Sequence, residues 1–117
     1  MLYVIVDDCL QILNYISEFF STQNLRSMIA SEFDLAVDIV KKNAGQQITI
    51  LIDICLGNQN GFDLASKIRE IDSSIRIVLM SGYVIKTTSF LIKMQDLKID
   101  GFLQKPISTD NLANCFL

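Results

Sequence analysis

Histidine is missing from all 117 residues of this sequence. Its absence excludes a catalytic imidazole, an imidazole metal ligand and a phosphohistidine within these residues. Basic side chains are also few, since 10 Lys and Arg residues stand against 13 Asp and Glu residues, for a formal net charge of −3. No run of them could follow a phosphate backbone, so we expect no contact with nucleic acid.

Long apolar runs are missing as well. None approaches the ~18 residues of a membrane-spanning helix, and the opening residues 1–6 are too short, with no basic flank, for a signal peptide. The three cysteines, Cys9, Cys55 and Cys115, have no metal-binding spacing. Their odd number favours a reducing cytoplasmic setting. Because no long apolar run is present, we expect no membrane contact. For Cys9 and Cys55 we expect small buried thiols rather than a redox link.

What the sequence does contain is a dense globular composition, with 50% hydrophobic and 20% charged residues. We expect residues 1–117 to form a single domain, with its last helix cut short. Five apolar, strand-like segments are predicted at Leu2–Val6, Leu25–Ala30, Ile48–Ile52, Ile75–Met80 and Asp100–Leu103. Helix-like segments follow them at Ile12–Phe20, Phe33–Val40 after Ser31 as N-cap, Phe62–Ile71, Thr87–Leu97 and from Ser108 onwards.

This alternation predicts an α/β fold with a doubly wound parallel sheet covered on both faces. The crossovers in such a sheet are right-handed, so the carboxyl ends of all the strands lie along one edge. Ligands of such folds bind at that edge. The polar residues that reach it are Asp7 and Asp8 after the first strand, Asp53 after the third, Ser81 after the fourth, and Lys105 before Pro106 after the fifth.

Three carboxylates in one cleft repel one another unless a cation neutralises them. An all-oxygen donor set suits Mg²⁺, with Mn²⁺ as the alternative. A lysine and a hydroxyl beside the carboxylates complete the groups needed to stabilise a phosphoryl group. Since no Ser or Cys nucleophile is flanked by a base, a carboxylate itself is the expected acceptor.

Five short motifs stand in order at the predicted strand ends: Val6-Asp7-Asp8, Leu51-Ile52-Asp53, Gly61, Met80-Ser81-Gly82, and residues 101–106 (GFLQKP). With these motifs the chain resembles, over nearly its whole length, the receiver (REC) domains of bacterial two-component response regulators. The resemblance implies a flavodoxin-like (βα)5 fold with five parallel strands in the order 2-1-3-4-5.

The resemblance also implies a role for each site residue. Asp53 would be the phosphoacceptor. Mg²⁺ would be bound directly by Asp8, mostly through water by Asp7, and by Asp53 and the backbone carbonyl of Cys55. Lys105, whose peptide bond to Pro106 would be cis, would contact a phosphoryl oxygen.

Two further pairs of residues have roles by the same resemblance. Ser81 and Phe102 would form the switch, in which the hydroxyl follows the phosphoryl group and the aromatic ring changes its rotamer; Phe102 is equally well explained as core. Cys55 and Tyr83 would flank the path of the attacking water. Cys55 is a weak hydrogen-bonding group and Tyr83 is bulky, so we expect slow loss of the phosphoryl group.

The function that the resemblance implies is phosphoacceptance in signalling. A histidine kinase or a histidine phosphotransfer protein would donate from its phosphohistidine, and the receiver would catalyse its own phosphorylation and dephosphorylation, with no separate substrate turnover. The fourth helix, fifth strand and fifth helix would form the output face, which could bind a second copy or an output domain. Two alternatives stay open: a phosphorylation-independent docking module, and a small Mg²⁺-dependent phosphohydrolase with an aspartyl-phosphate intermediate, which normally needs a second acid near the nucleophile.

The connection from Ser81 to Lys105 is longer than is usual in that family, so the fourth helix or its entry loop is expected to be unusual. The helix also holds more apolar residues than one buried face needs: Phe90, Leu91, Ile92 and Met94. Either some of them are exposed as a partner surface, or a shifted helix buries them all.

Overall fold

The computed structural model describes residues 1–83 and 87–117. In this part of the chain, five parallel strands form the main sheet, and a separate antiparallel pair follows its third strand. In chain order the strands are β1 (Leu2–Val6), β2 (Arg26–Ala30), β3 (Ile48–Asp53), β4 (Cys55–Leu56), β5 (Gln59–Asn60), β6 (Arg76–Ser81) and β7 (Gly101–Gln104). The main sheet has the order β2-β1-β3-β6-β7. The prediction of a doubly wound parallel sheet in the order 2-1-3-4-5 is therefore confirmed, once the short pair β4 and β5 is set aside.

Five helices connect the strands in the described residues: α1 (Leu10–Thr22), α2 (Phe33–Lys42), α3 (Gly61–Ile71), α4 (Thr88–Asp96) and α5 (Thr109–Phe116). Each lies within a residue or two of its predicted position. The prediction of Ser31 as an N-cap is wrong, because the backbone remains extended at Glu32, which is the N-cap residue of α2. None of the helices in the described ranges is long and apolar enough to cross a membrane.

The sheet separates two hydrophobic cores, because successive strand residues point to opposite faces. One core packs β-strand residues such as Val4, Ile52 and Leu79 against α2, α3 and α4. The other packs residues such as Ile5 and Leu51 against α1 and α5. Every residue of β1 and β3 is buried, which explains why these strands are continuous apolar runs.

A close backbone contact fixes the start of α3 against the end of β3. The backbone N–H of Gly61 donates to the carbonyl of Ile54 at 2.6 Å. The side chain of Asn60 then caps α3 by accepting from the N–H of Phe62 at 2.8 Å. A Cβ added at Gly61 would clash with the backbone oxygen of Asp53 and lie 2.8 Å from the Cα of Ile54. A glycine is therefore needed here for close approach of two backbones.

We expect Gly61→Ala to destabilise the domain by about 1–3 kcal/mol, because the added methyl group meets backbone atoms that cannot rotate away. The measurement is the midpoint of urea denaturation followed by circular dichroism. Gly82→Ala is the matched control, because a Cβ at Gly82 meets no atom within 4 Å. Equal midpoints for the two variants would contradict the close packing of α3 on β3.

Candidate functional site

The carboxyl ends of four strands meet at one edge of the main sheet. Val6 pairs with Ile52 in the parallel ladder, so Asp7 and Asp53 follow at the same level. The pairing continues from Asp53 to Met80 in β6, and from Ser81 to Gln104 in β7. Lys105 comes directly after that last pair. The sheet thus brings the predicted acids, hydroxyl and lysine together through its register alone.

The three acids form a compact cluster with unequal exposure. One carboxylate oxygen from each of Asp7, Asp8 and Asp53 lies within 4.8 Å of the others. Asp7 is fully buried, Asp53 is 6% exposed, and Asp8 is exposed at the rim. Like charges at this separation repel one another strongly where water is excluded.

Lys105 lies between the two buried acids. Its Nζ is 2.7 Å from Oδ2 of Asp7 and 3.3 Å from Oδ2 of Asp53. Since the ammonium group is shared by two carboxylates and a third lies nearby, the cluster keeps an excess of negative charge. The peptide bond that joins Lys105 to Pro106 is cis, as the resemblance implies.

Burial and the neighbouring charges together raise the pKa of both Asp53 and Lys105, which disfavours the charged form of the acid and favours the charged form of the lysine. Burial, and then the charge of Asp7, raises the pKa of Asp53 above its usual value, and Lys105 opposes this only in part. Burial alone would lower the pKa of Lys105, but its bond to Asp7 and the charges of Asp7 and Asp53 together raise it. The lysine is thus held in its charged form, while Asp53 is the carboxylate whose ionised form is disfavoured by burial.

The same local turn orients three site side chains. In each, a side-chain oxygen accepts a hydrogen bond from the backbone N–H two residues later, which is typical of Asx and Ser/Thr turns. The three bonds run from Cys9 N to Asp7 Oδ1 at 2.9 Å, from Cys55 N to Asp53 Oδ1 at 3.3 Å, and from Tyr83 N to Ser81 Oγ at 3.1 Å. In each of the two buried aspartates, Oδ1 is fixed in this way and Oδ2 faces Lys105.

The hairpin formed by β4 and β5 holds the third acid. Its turn begins at Gly57, in the left-handed region at φ +57°, and the N–H of Gly57 donates to Oδ2 of Asp8 at 3.1 Å. Neither this hairpin nor this contact was predicted from the sequence. The Gly57-Asn58 pair between two short segments was the available signal, since such pairs favour tight hairpin turns.

The donor set fits a hard divalent cation. Three carboxylates converge, and no nitrogen or sulfur ligand is part of the cluster among the described residues. Mg²⁺ prefers oxygen ligands and keeps several waters, which suits an exposed rim at Asp8 beside buried carboxylates. The backbone carbonyl of Cys55 stays a predicted ligand.

The remaining predicted residues differ in how far they are exposed. Ser81 is 3% exposed, whereas the side chain of Tyr83 is 70% exposed. Phe102 is partly buried and packs on the core shared with α3 and α4. The three cysteines, all within the described ranges, are free. Cys9 is only partly buried and Cys55 is exposed, so the prediction of small buried thiols is met in part at Cys9 and is wrong at Cys55. The reason is that the chain leaves the sheet after Asp53 and turns Cys55 outward in β4.

The prediction that the fourth helix or its entry loop is unusual falls partly on residues 84–86, which lie outside the described residues. Beyond them, the alternatives for α4 are resolved in favour of exposure. Leu91 is 56% exposed and Ile92 is 50% exposed, while Phe90 is buried.

Several solved structures, among them receiver domains and response regulators, have the same fold. A CheY-like receiver domain from Methanospirillum hungatei JF-1 has a TM-score of 0.85 at 18% identity, covering 97% of this chain and 88% of that one. Chemotaxis protein CheY4 from Vibrio cholerae has a TM-score of 0.87 at 16% identity, with 97% and 93% covered. A response regulator from Burkholderia pseudomallei, solved with a phosphorylated aspartic acid, calcium ion and citrate, has a TM-score of 0.82 at 17% identity, with 99% and 66% covered.

At these identities the likeness shows the fold. A search of curated proteins gave no match. The family is shown by a different comparison, in which the sequence model of the response regulator receiver domain matches residues 3–116. This chain therefore belongs to the response regulator receiver domain family.

Proposed function

We propose that this receiver domain accepts a phosphoryl group on Asp53 from a phosphohistidine of a histidine kinase or a histidine phosphotransfer protein. The observation that carries the proposal is the position of Asp53. Its carboxylate lies at the tip of β3 within the acid cluster, with Oδ1 held by the N–H of Cys55 and Oδ2 3.3 Å from Lys105. The oriented carboxylate is the nucleophile.

In the proposed transfer, a carboxylate oxygen of Asp53 forms a bond to phosphorus as the phosphorus–nitrogen bond of the donor breaks. The electron pair stays on the imidazole nitrogen of the donor, which is then protonated. Lys105 and the hydroxyl of Ser81 donate hydrogen bonds to phosphoryl oxygens as charge develops there. Asp8 directly, Asp7 mostly through water, and Asp53 with the Cys55 carbonyl would hold a Mg²⁺ or Mn²⁺, which would supply positive charge that offsets the carboxylates.

The surface beside Lys105 supports docking of a protein donor. An apolar groove of about 250 Å³ lies between α1 and the segment that follows β7. Its lining residues are Gln11, Ile12, Tyr15, Lys105, Pro106 and Ile107. Leu10 on the same helix is 63% exposed. A partner that covers this groove would bring its phosphohistidine to Asp53 and exclude water. We place this transfer in the cytoplasm.

The face formed by α4, β7 and α5 is the proposed output surface of the domain. Ser81 and Phe102 would change position together after phosphorylation, and the exposed Leu91 and Ile92 of α4 supply an apolar surface. A second copy or an output domain would bind there, according to the state of Asp53.

With Mg²⁺ and acetyl phosphate, we expect the protein to gain one phosphoryl group, and Asp53→Asn to gain none, because the amide is not a nucleophile. Intact-mass spectrometry measures the gain. Asp63→Asn, on an exposed position of α3, is the control and should be labelled normally. Chelation of the metal should prevent labelling of the wild type. Labelling of Asp53→Asn on another residue would contradict the assignment, and donor turnover without an adduct would favour the phosphohydrolase.

We expect Mg²⁺ to raise the melting temperature, since it binds the folded cluster and offsets its repulsion. Asp8→Asn should raise the melting temperature of the metal-free protein and weaken metal binding, because it removes one like charge while an amide oxygen still accepts from Gly57. Calorimetry with and without Mg²⁺ measures both effects. Asp38→Asn, an exposed acid of α2, should change stability by no more than about 0.5 kcal/mol. A lower metal-free melting temperature for Asp8→Asn would argue against repulsion.

We expect slow phosphoryl loss, and Cys55→Asn should hasten it because an amide can orient the attacking water. Tyr83→Ala should hasten it less, since the Tyr83 side chain is 70% exposed and shields the site only in part. Loss is timed by intact mass after removal of the donor, at one Mg²⁺ concentration. Cys115→Ser, on α5, is the control. Unchanged or slower loss in both site variants would show that these positions do not set the lifetime.

A further inference from the structure

One buried aromatic ring, that of Phe90, packs the first turn of α4 onto the rest of the domain. Among the described residues of α4, Phe90 alone is buried. Its ring lies edge-on between two other rings, with its centroid 5.4 Å from that of Phe62 and 6.2 Å from that of Phe102. Met94 and Leu97, one and two turns later, are only partly buried against the same core.

Both partner rings are connected to the acidic site through the backbone. Phe62 follows Gly61, whose backbone N–H donates to the carbonyl of Ile54, the residue directly after Asp53. Phe102 lies in β7 opposite Leu79, two residues before the Gln104 that pairs with Ser81. Each of these two rings thus links one strand end at the site to Phe90 through a short stretch of backbone and one edge-on ring contact.

The other end of α4 is held in a different way. The guanidinium of Arg69, on α3, donates to the carbonyls of Leu97 and Lys98, each at 2.8 Å, and so binds the end of α4. It also donates to the carbonyls of Ser73 and Ile75 before β6. A fifth contact joins it to Asp100, whose Oδ2 in turn accepts from the N–H of Ile77.

These two attachments differ in kind. Hydrogen bonds from a charged, planar guanidinium are directional and fix the carbonyls that they bind. Contacts between rings are mainly dispersive and allow the rings to slide while they stay packed. The last turn of α4 is thus a fixed end, and its first turn is the end that can move.

We propose that α4 pivots about the end bound by Arg69, and that Phe90 is the positioning residue that transmits the state of the acidic site to the first turn of α4. This rests on the proposed function, since the signal begins with a phosphoryl group on Asp53. Phe90 does not touch that group, and its removal should leave the filling of the site unchanged.

The test uses the whole domain with Mg²⁺ and beryllofluoride, a phosphoryl mimic. Fluorine NMR reports whether beryllofluoride is bound. Amide chemical shifts report the two ends of α4: residues 90 and 91, whose N–H groups donate to Thr87, and residues 97 and 99, whose N–H groups donate to Lys93 and Met94. In the wild type we expect beryllofluoride to shift the first pair and to leave the second nearly unchanged.

Phe90→Leu keeps an apolar side chain and should reduce the shift at residue 91 by at least about twofold, with beryllofluoride still bound. Thr88→Ala changes an exposed side chain of the same turn and should keep the response at residue 91. Arg69→Lys loses the fork of donors, so the response should spread to residues 97 and 99.

A full response at residue 91 in Phe90→Leu would overturn the proposal, as would equal wild-type responses at both ends. If Phe90→Leu does not fold, Arg69→Lys decides: a response still confined to the first turn would overturn the pivot, and one that spreads would support it. Absence of bound beryllofluoride in the wild type counts against the proposed function, whereas bound beryllofluoride without shifts in α4 counts against the inference alone.

Discussion

The arrangement of this domain depends on the ion pairs that the ammonium group of Lys105 forms with Asp7 and Asp53. Asp7 has no access to water, and a buried carboxylate without a partner would cost several kcal/mol. Its partner is 98 residues away along the chain, so the same contact ties the end of β1 to the end of β7. Because one cation serves two carboxylates and Asp8 adds a third, the contact stabilises the fold and still leaves the edge of the sheet attractive to a further cation.

Much of the fold could be predicted because strands buried on both faces become continuous apolar runs, as in β1 and β3. The site residues could be located for a related reason: in a parallel sheet, the residue after each strand reaches the same edge, so Asp7, Asp53 and Lys105 were expected together. The hairpin of β4 and β5 was missed because two-residue strands have no detectable period. The exposure of Cys55 was missed because it depends on the direction in which the chain leaves β3, and not on residue type.

The sheet and helix α4 are packed into the domain to different extents. The floor of the acidic site consists of strand ends within a sheet that is buried on both faces, where any shift would break ladder hydrogen bonds. Helix α4 is packed less extensively, because Leu91 and Ile92 face water and little apolar area holds the helix to the sheet. The apolar residues of α4 could not be divided into buried and exposed from the sequence, since they do not form a single stripe.

The repeated turn at the ends of β1, β3 and β6 has a consequence for how this domain can vary. Each site side chain is oriented by a peptide N–H at position 9, 55 or 83, and every amino acid except proline supplies that group. The side chains at these three positions thus take no part in the hydrogen bonds that orient Asp7, Asp53 and Ser81. They are free to be exchanged for others of different size and polarity, so the surroundings of the reactive carboxylate can diverge while its geometry is retained.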